Sequence, residues 1–307
     1  MSDPYRVLIS EVMLQQTQIA TVLGKGYYTK FLEKFPNVES LAEADDESLL
    51  KAWEGLGYYR RVRMLRETAR HVVSEYGGKF PEAESSLLSL PGIGPYTAAA
   101  LRAFSFKKRS NLVDGNVSRV LARILNDPAP VDATSTIREH RRHAYDLCDP
   151  GQPDLHHHAM MEIGQQICRP GLPHCLDCPI SKYCECQEPS MLPQKKPRVG
   201  VTKIEENAIF VRNQRGEILL QKEMGKRRSG LWKLPLRSSE FCSDFERVYE
   251  STYQITRYRV LLRVFQLDGI DVDSLEVGEK WIPRDRVEIL PFAAPFRKAI
   301  DILCADL

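Results

Sequence analysis

The stretch "CRPGLPHCLDCPISKYC" puts four cysteines into seventeen residues, at Cys168, Cys175, Cys178 and Cys184. Structural zinc sites usually combine two separated pairs of ligands, whereas this stretch holds a single C-x2-C pair. Four thiolates in one short loop suit a [4Fe–4S] cluster, which takes one ligand per iron. The spacing therefore predicts a [4Fe–4S] cluster on these four cysteines. Structural zinc or a chance grouping is the alternative, and Cys186 is a possible substitute for Cys184.

Length, charge and hydropathy exclude several classes of protein. A chain of 307 residues is long enough for two domains with cores of their own. Its net charge is only +2, so global charge gives no argument for a nucleic-acid partner. No apolar run approaches the roughly 20 residues of a membrane span, and Met1 is followed directly by "SDPYR" instead of a signal peptide. We therefore expect a protein of the cytosol or nucleus without a membrane partner, where disulfides are disfavoured.

Hydrophobic periodicity predicts a long helical part and then a strand-rich part. A helix is expected in "SDPYRVLISEVMLQQTQIATVL", with Asp3 as its N-cap and Pro4 at its first position. Short strands are expected in "NAIFVRN" and "EILLQKE", around a turn, and in "YRVLLRVFQLDGI". The polar, proline-bearing stretch 188–203 is typical of a linker. These features predict a helical domain over 1–187 and an α+β domain over 204–307. Further amphipathic helices are expected around 40–53, 60–76, 84–90, 96–106 and 116–125.

Two further motifs lie in the helical part. "LPGIGPYTA" joins two helices through a turn whose glycines, Gly92 and Gly94, would let backbone N–H groups face a DNA phosphate. "VDGNVSRVLAR" places Asp114 at the mouth of the next helix, where a carboxylate is either a helix cap or a functional group. Each motif alone has a structural explanation, a tight turn or a cap. Their proximity along the chain favours the functional interpretation.

The order of several blocks resembles a known family. "SEVMLQQTQ", "WEGLGYYRR", "LPGIGPYTA", "VDGNVSRVLAR" and the cysteine loop follow one another as in the helix-hairpin-helix DNA glycosylases. "MLQQTQ" and "GLGYY" resemble the adenine-removing, MutY-type branch. The resemblance covers about residues 2–187 and implies a mainly α fold with an iron–sulfur loop. Residues 204–307 resemble a diverged form of the family's small α+β, Nudix-like domain.

The resemblance implies two catalytic carboxyl groups. Glu11 would protonate adenine at N7 and handle the water, and its place in an apolar helix would raise its pKa toward working pH. Asp114 would stabilise the oxocarbenium-like sugar by electrostatics or by a transient covalent bond. For an isolated glutamate, a surface or ion-paired position on a helix would be the alternative.

Further residues carry over as contacts to DNA or to the flipped base. Gln16 and Tyr58 resemble residues that fill the base stack after flipping, with packing as a competing role for Tyr58. Asn116 resembles the amide beside the catalytic aspartate. Glu162 resembles the carboxylate on the adenine side, and His158 stands where the family usually has a glutamine.

One substitution and two departures bear on the activity. Tyr96 stands where the endonuclease III branch carries a Schiff-base lysine, and without an amine strand cleavage by β-elimination is chemically disfavoured. The family has a helix and a "PWR"-type segment before "DPYR", whereas this sequence begins at Met1. Arg263, Val264 and Gln266 stand where the family usually shows a Ser/His-bearing loop that senses 8-oxoguanine.

The sequence thus predicts a monofunctional glycosylase of base excision repair that removes adenine opposite 8-oxoguanine or guanine. Its partner would be mispaired double-stranded DNA, and the protein would be a monomer. The alternatives are a related glycosylase acting on T or U opposite G, and a lesion-binding remnant without catalysis. The expected location is the cytoplasm and nucleoid of a bacterium, or the nucleus or mitochondrion of a eukaryote.

Overall fold

The structure is a computed structural model that describes residues 3–197, 200–225, 228–267 and 275–305. It divides into two compact units that do not follow the order of the chain. The helical part of the sequence contributes to both units. Among the described residues, the first unit comprises 3–16, 37–42 and 67–197, and the second comprises 17–36, 43–66, 200–225, 228–267 and 275–305.

Fourteen α-helices are present in the described part of the chain. None of these is long and apolar enough to cross a membrane. Two π-helical turns, Leu101–Ser105 and Ile163–Ile167, continue the eighth and eleventh helices. In chain order the helices are α1 (Pro4–Leu14), α2 (Ile19–Gly24), α3 (Tyr27–Lys34), α4 (Val38–Ala42), α5 (Asp46–Ala52), α6 (Arg60–Tyr76), α7 (Glu84–Ser89), α8 (Pro95–Ala100), α9 (Gly115–Ile124), α10 (Thr134–Leu147), α11 (Pro153–Glu162), α12 (Ser239–Cys242), α13 (Arg284–Val287) and α14 (Ala294–Ala305).

The start of α1 is as predicted, but its end is not. The Asp3 side chain accepts a 2.9 Å hydrogen bond from the backbone N–H of Tyr5, and Pro4 occupies the first helical position. The helix ends at Leu14, because Gln16 adopts a left-handed φ of 59° and α2 begins only at Ile19. The polar run "QQTQ" offers α1 no apolar side chain to bury, so the stretch divides into two helices.

Small residues let α1 approach the hairpin helices in the first unit. Ala99, Ala100 and Ala103 form a buried cluster, and Val7 of α1 packs against it together with Tyr96 of α8. Close packing of alanines brings the two helices near each other. This packing positions the polar residues of α1 and α8 that are described below.

The predicted helices over 60–76, 84–90 and 116–125 agree with α6, α7 and α9 to within a residue. The stretch 40–53 holds the end of α4 and all of α5, because the Asp45 side chain caps a new helix by accepting a 2.8 Å hydrogen bond from the N–H of Ser48.

The predicted linker is fixed to the first unit at its start. Leu192 is buried, and the N–H of Val131 donates to the carbonyl of Gln194 at 3.0 Å.

The described residues of the C-terminal region form seven strands, which confirms its α+β composition. Strand β1 pairs in parallel with β6 and antiparallel with β4, and β5 pairs antiparallel with β6. A second sheet has the order β3-β2-β7, with antiparallel pairs. The likeness of the C-terminal region to Nudix proteins stays a prediction. The strands are β1 (Thr202–Val211), β2 (Ile218–Lys222), β3 (Trp232–Lys233), β4 (Leu236–Arg237), β5 (Glu246–Ile255), β6 (Tyr258–Leu267) and β7 (Glu279–Ile282).

Two details of this region bear on the sequence-based expectations. The strands in "NAIFVRN" and "EILLQKE" are β1 and β2, but they belong to different sheets. Arg263, Val264 and Gln266 lie within strand β6, which confirms the strand predicted in "YRVLLRVFQLDGI". Val264 is buried, while Arg263 forms ion pairs across the sheet with Glu205 and Glu250. The alternation of side chains along a strand accounts for these opposite environments.

Candidate active site and cysteine loop

Glu11 and Tyr96 meet between α1 and α8. The Tyr96 hydroxyl donates a 2.7 Å hydrogen bond to Oε2 of Glu11. Burial raises the pKa of the Glu11 carboxyl; the nearby Asp114 charge adds to the rise, and the Tyr96 hydrogen bond acts in the opposite direction. Burial is the largest cause that raises the pKa of the Tyr96 hydroxyl, and the Glu11 charge is the next. Because its pKa is raised, this hydroxyl stays neutral and able to donate. Glu11 therefore has the environment of a carboxyl group that can hold a proton.

Asp114 contributes the second carboxylate and is also the N-cap of α9. Its Oδ1 accepts a 2.7 Å hydrogen bond from the N–H of Val117, and its Oδ2 accepts one of 3.0 Å from the side-chain amide of Asn116. The two alternatives that the sequence left open, a cap and a member of a carboxylate pair, are compatible. Capping fixes the carboxylate, and its charge still reaches Glu11.

The hairpin between α7 and α8 has the predicted turn. Gly92 has a φ of 81°, in the left-handed region, and Gly94 is the extended N-cap of α8. Leu90 and Ile93 are buried, so the hairpin is anchored by its apolar residues. The Thr68 hydroxyl donates to the carbonyl of Pro91 and holds the turn on α6.

Gln16 and Tyr58 share an unusual backbone conformation. Their φ angles are 59° and 48°, which a residue with a side chain rarely adopts. Tyr58 is 50% exposed, which disfavours the role in core packing that competed with base contact. Gln16 belongs to the first compact unit and Tyr58 to the second. Strained residues of this kind are concentrated at functional sites.

His158 and Glu162 lie on α11, one turn apart, and both are exposed. The His158 ring stacks on the ring of Phe104 with centroids 4.4 Å apart. Glu162 accepts a 2.8 Å hydrogen bond from the side-chain amide of Gln166. The neighbouring His157 is instead buried, hydrogen bonds with Ser110, and has its pKa lowered to about 4 by burial.

Arg119 is a buried residue that the sequence analysis missed. Its Nη2 donates to Oδ1 of Asn116 at 2.9 Å and to the carbonyl of Gly164 at 2.6 Å, and its Nε donates to the carbonyl of Cys168 at 2.8 Å. These bonds connect the amide that holds Asp114 to the first cysteine of the loop.

Arg123, one turn further along α9, organises the cysteine loop and was missed as well. It is only 2% exposed. Its guanidinium donates to Sγ of Cys168 at 3.3 Å and to the carbonyls of Arg169 and Gly171 at 2.9 and 3.1 Å. Two arginines four positions apart in the apolar sequence "NVSRVLAR" were the available signal, because residues at this spacing share one face of a helix.

Two of the four cysteines, Cys168 and Cys184, contact this arginine. Cys168 follows the π-helical turn Ile163–Ile167, Cys175 begins a 3-10 turn that ends before Cys178, and Cys184 follows a second 3-10 turn. The Cys184 thiol donates to the carbonyl of Arg123 at 3.5 Å.

The surroundings of Cys175 indicate whether the four thiols lie near one another. Burial raises the pKa of the Cys175 thiol, and the thiolates of Cys168, Cys184 and Cys178 follow as further causes. The four sulfurs are therefore close enough to interact electrostatically. Across the described ranges, no three Cys, His, Asp or Glu side chains come close enough to hold a metal ion. The donor set of four thiols fits an iron–sulfur cluster in its chemistry, and the buried Arg123 guanidinium lies at one of them, Cys168.

The arrangement brings a protonatable carboxyl, a hydroxyl donor and a second, anchored carboxylate together from α1, α8 and the start of α9. A pair of carboxyl groups in different environments can act as acid and as charge stabiliser in the cleavage of a glycosidic bond. The hairpin and the cysteine loop lie in the same compact unit.

This fold and site define a class of DNA repair protein. Residues 9–143 match the model of the HhH-GPD superfamily base excision DNA repair proteins. The chain belongs to this helix-hairpin-helix superfamily, which confirms the family predicted from the order of the motifs.

Within that class the chain is similar to adenine DNA glycosylases. It is 42% identical to the mouse adenine DNA glycosylase over 211 residues, which cover 68% of this chain and 40% of the relative. It is 32% identical to that of Buchnera aphidicola over 238 residues, covering 75% of this chain and 65% of the relative. The chain thus spans less than half the length of the mouse relative.

A solved structure adds a second comparison. A thermostable thymine-DNA glycosylase superposes with a TM-score of 0.55 at 31% identity, covering 60% of this chain and 84% of that chain. The helical glycosylase architecture predicted from the sequence is therefore confirmed.

Proposed function

We propose that the protein is a monofunctional DNA glycosylase that hydrolyses the bond between adenine and deoxyribose in mispairs with 8-oxoguanine or guanine. The observation that carries this proposal is the contact of Glu11 with Tyr96 beside Asp114. The similarity to adenine DNA glycosylases supports adenine as the base.

Glu11 is the general acid. Its raised pKa keeps a fraction of the carboxyl protonated where an ordinary glutamate is ionised. The Tyr96 hydroxyl donates its hydrogen bond to Oε2 of Glu11, so the transferable proton is carried on Oε1 of Glu11. When the base has been flipped from the duplex, this proton passes to the base as the bond to the sugar breaks. The ionised Glu11 then accepts a proton from the attacking water.

Asp114 stabilises the positive charge that develops on the sugar. Hydrogen bonds from Val117 and Asn116 fix both of its oxygens, so little reorganisation is needed as the charge develops. Arg119 in turn holds Asn116 at 2.9 Å. Arg119 and Asn116 are thus positioning residues.

Tyr96 also limits the reaction to base removal. A phenol cannot form the Schiff base through which an amine would open the sugar and cleave the strand. The product is therefore an intact strand with an abasic site.

Contacts to the duplex are assigned to the remaining residues. Gly92 and Gly94 present the hairpin backbone to a phosphate, which gives affinity without sequence readout. The strained Gln16 and Tyr58 contact the bases that the flipped adenine leaves behind. His158 and Glu162 lie on the adenine side.

The partner is mispaired double-stranded DNA, bound by a monomer. The location is the bacterial cytoplasm, at the nucleoid, or the nucleus or mitochondrion of a eukaryote. The domain boundaries are 1–187, 188–203 and 204–307, and the last part is a Nudix-like domain.

The cofactor is a [4Fe–4S] cluster held by Cys168, Cys175, Cys178 and Cys184. When bound, it supplies a fixed anionic centre that orders the loop. Arg123 balances charge at Cys168, and carbonyls of the loop and of the segment after it accept its remaining hydrogen bonds. Zinc on the same thiols is the alternative that metal analysis distinguishes.

A second candidate is a glycosylase for T or U opposite G, which the likeness to the thymine-DNA glycosylase favours. Single-turnover assays on duplexes with A opposite 8-oxoguanine, A opposite G, T opposite G and U opposite G separate the two. We expect alkali-labile sites only at the adenines, formed fastest opposite 8-oxoguanine. Excision confined to T or U contradicts the proposal, as does binding of every mispair without any excision.

A further inference from the structure

A cavity in the second compact unit has a composition that the glycosylase site does not explain. It has a volume of about 690 Å³ and lies between α3, α5 and α14. Its walls carry five cationic side chains and two carboxylates. The cations are Lys30, Lys34, Lys51, Arg297 and Lys298.

Two of the five cations are neutralised within the fold. Glu54 accepts from Nζ of Lys51 at 2.6 Å and from Nε of Arg297 at 2.9 Å. Lys51 also donates to the carbonyl of Glu288 at 2.6 Å, and Arg297 to the carbonyl of Leu290 at 2.7 Å. These bonds use Glu54, Lys51 and Arg297 to fix α14 against α5. They leave little capacity on these two cations for a ligand.

The other three cations do not take part in fixing α14 against α5. Lys30 and Lys34 lie one turn apart on α3, and Lys298 lies on α14. Within the described residues, none of the three side-chain ammonium groups has a hydrogen-bond or ion-pair partner. The second carboxylate of the cavity, Asp301, is already 3.5 Å from Nη1 of Arg297. The cavity therefore has an excess of positive charge that the described part of the protein does not compensate.

Tyr27 packs directly on the backbone of Gly55 in the wall of the cavity. Gly55 has a φ of 90°, and a Cβ there would lie 2.2 Å from the Tyr27 hydroxyl oxygen. Burial, followed by the Glu54 charge, raises the pKa of Tyr27, so its hydroxyl stays a neutral donor. A ring and a hydroxyl next to free ammonium groups suit a ligand with a phosphate and a flat apolar body.

We propose that this cavity binds the phosphate of a nucleotide unit through Lys30, Lys34 and Lys298. Two sources offer that chemistry, the backbone of bound DNA and a free nucleotide. The DNA source rests on the proposed function, whereas the free-nucleotide source does not.

The test uses the full-length protein, a triple variant Lys30→Gln, Lys34→Gln, Lys298→Gln, and a control. The control removes the same charge from exposed lysines outside the cavity, as Lys79→Gln, Lys203→Gln, Lys280→Gln. Circular dichroism checks that both variants fold. Affinity for an undamaged duplex is measured by fluorescence anisotropy over a series of salt concentrations, and affinity for dAMP by calorimetry.

If the DNA backbone occupies the cavity, the negative slope of log affinity against log salt becomes less steep in the triple variant. The change is about 0.9 for each phosphate that this variant no longer neutralises, and it is smaller in the control. If a free nucleotide occupies it, dAMP binding is saturable in the parent and at least 10-fold weaker in the triple variant only. Equal salt slopes in the two variants, together with no dAMP binding that depends on these lysines, overturn the proposal. Neither measurement needs base excision, so the cavity and the proposed function can fail separately.

Discussion

Gly164 and Asn116 are packed so closely that a Cβ on Gly164 would lie 2.7 Å from the Cβ of Asn116. Gly164 lies in the π-helical turn after α11, and Asn116 donates to the Asp114 carboxylate at 3.0 Å. The absence of a side chain at position 164 therefore helps to set the position of the Asp114 carboxylate.

Gly164→Ala should push Asn116 away from Asp114. Overpacking of this kind costs about 1–3 kcal/mol of stability. We expect the single-turnover rate of base excision to fall by about 10-fold in folded protein, as the carboxylate loses its support. Gly24→Ala is the control, because a Cβ on Gly24 would meet no atom within 4 Å and this residue lies at the end of a helix. Equal rates in the parent and Gly164→Ala would show that the packing of Gly164 on Asn116 has no effect on catalysis.

Arg119→Gln and Arg123→Gln should have different effects. Both variants leave buried carbonyls without donors, at about 1–3 kcal/mol each. Only Arg119 contacts Asn116, so in protein with equal iron content only Arg119→Gln should slow excision. Arg123→Gln should mainly lower the iron content, because its partners lie in the cysteine loop and the segment after it. The measurements are iron per chain and the single-turnover rate; equal slowing in both variants contradicts this division.

The pH dependence of excision should report the Glu11 carboxyl. Its pKa is raised by burial, so the acid form persists to higher pH than in an exposed glutamate. The rate is expected to be highest below this raised pKa and to fall as the pH rises through it. In Tyr96→Phe a hydrogen bond that lowers the pKa is removed, so the fall should move to higher pH. Single-turnover rates across a pH series measure both, and an unshifted or acid-shifted profile would remove Glu11 from the role of acid.

The metal content should identify the occupant of the cysteine loop. Protein purified without oxygen is expected to be brown, with about four iron atoms per chain. Cys175→Ala should lose the colour and the iron, while the control Cys186→Ala keeps both. Stoichiometric zinc in colourless protein would favour the alternative, and iron loss in Cys186→Ala would put that cysteine among the ligands.

Much of the architecture could be predicted because local chemistry determines it. Asp3 and Pro4 are strong signals for the start of α1, and the turn at Gly92 needs a residue that tolerates positive φ. The positions of β1, β2 and β6 follow from apolar runs. The pairing of these strands does not, since a period of two gives the faces of a strand but not its neighbours. Arg263 lies in mid-strand, inside the strand predicted in "YRVLLRVFQLDGI", but its ion-pair partners on β1 and β5 could not be predicted.

The candidate site was predictable only in part, because some of its residues depend on partners that are distant in the chain. The resemblance pointed to Glu11, Tyr96 and Asp114, and the first compact unit contains all three. Arg119 and Arg123 were overlooked because arginine is usually exposed, and their burial depends on carbonyls of the cysteine loop some 45 residues later in the chain. Partners of this kind become visible only in three dimensions.

The most direct test of the account is the amount of free adenine released by the parent and by Glu11→Gln from a duplex with A opposite 8-oxoguanine. Glutamine keeps the shape of the side chain but has no transferable proton, and Glu33→Gln on the exposed side of α3 is the control. We expect the parent and the control to release one adenine per abasic site, as counted by mass spectrometry under single-turnover conditions. Glu11→Gln should be slower by about 10²–10⁴-fold while it still binds the mispair. Release of adenine by Glu11→Gln at nearly the parental rate, or release of no adenine by the parent, would contradict the account.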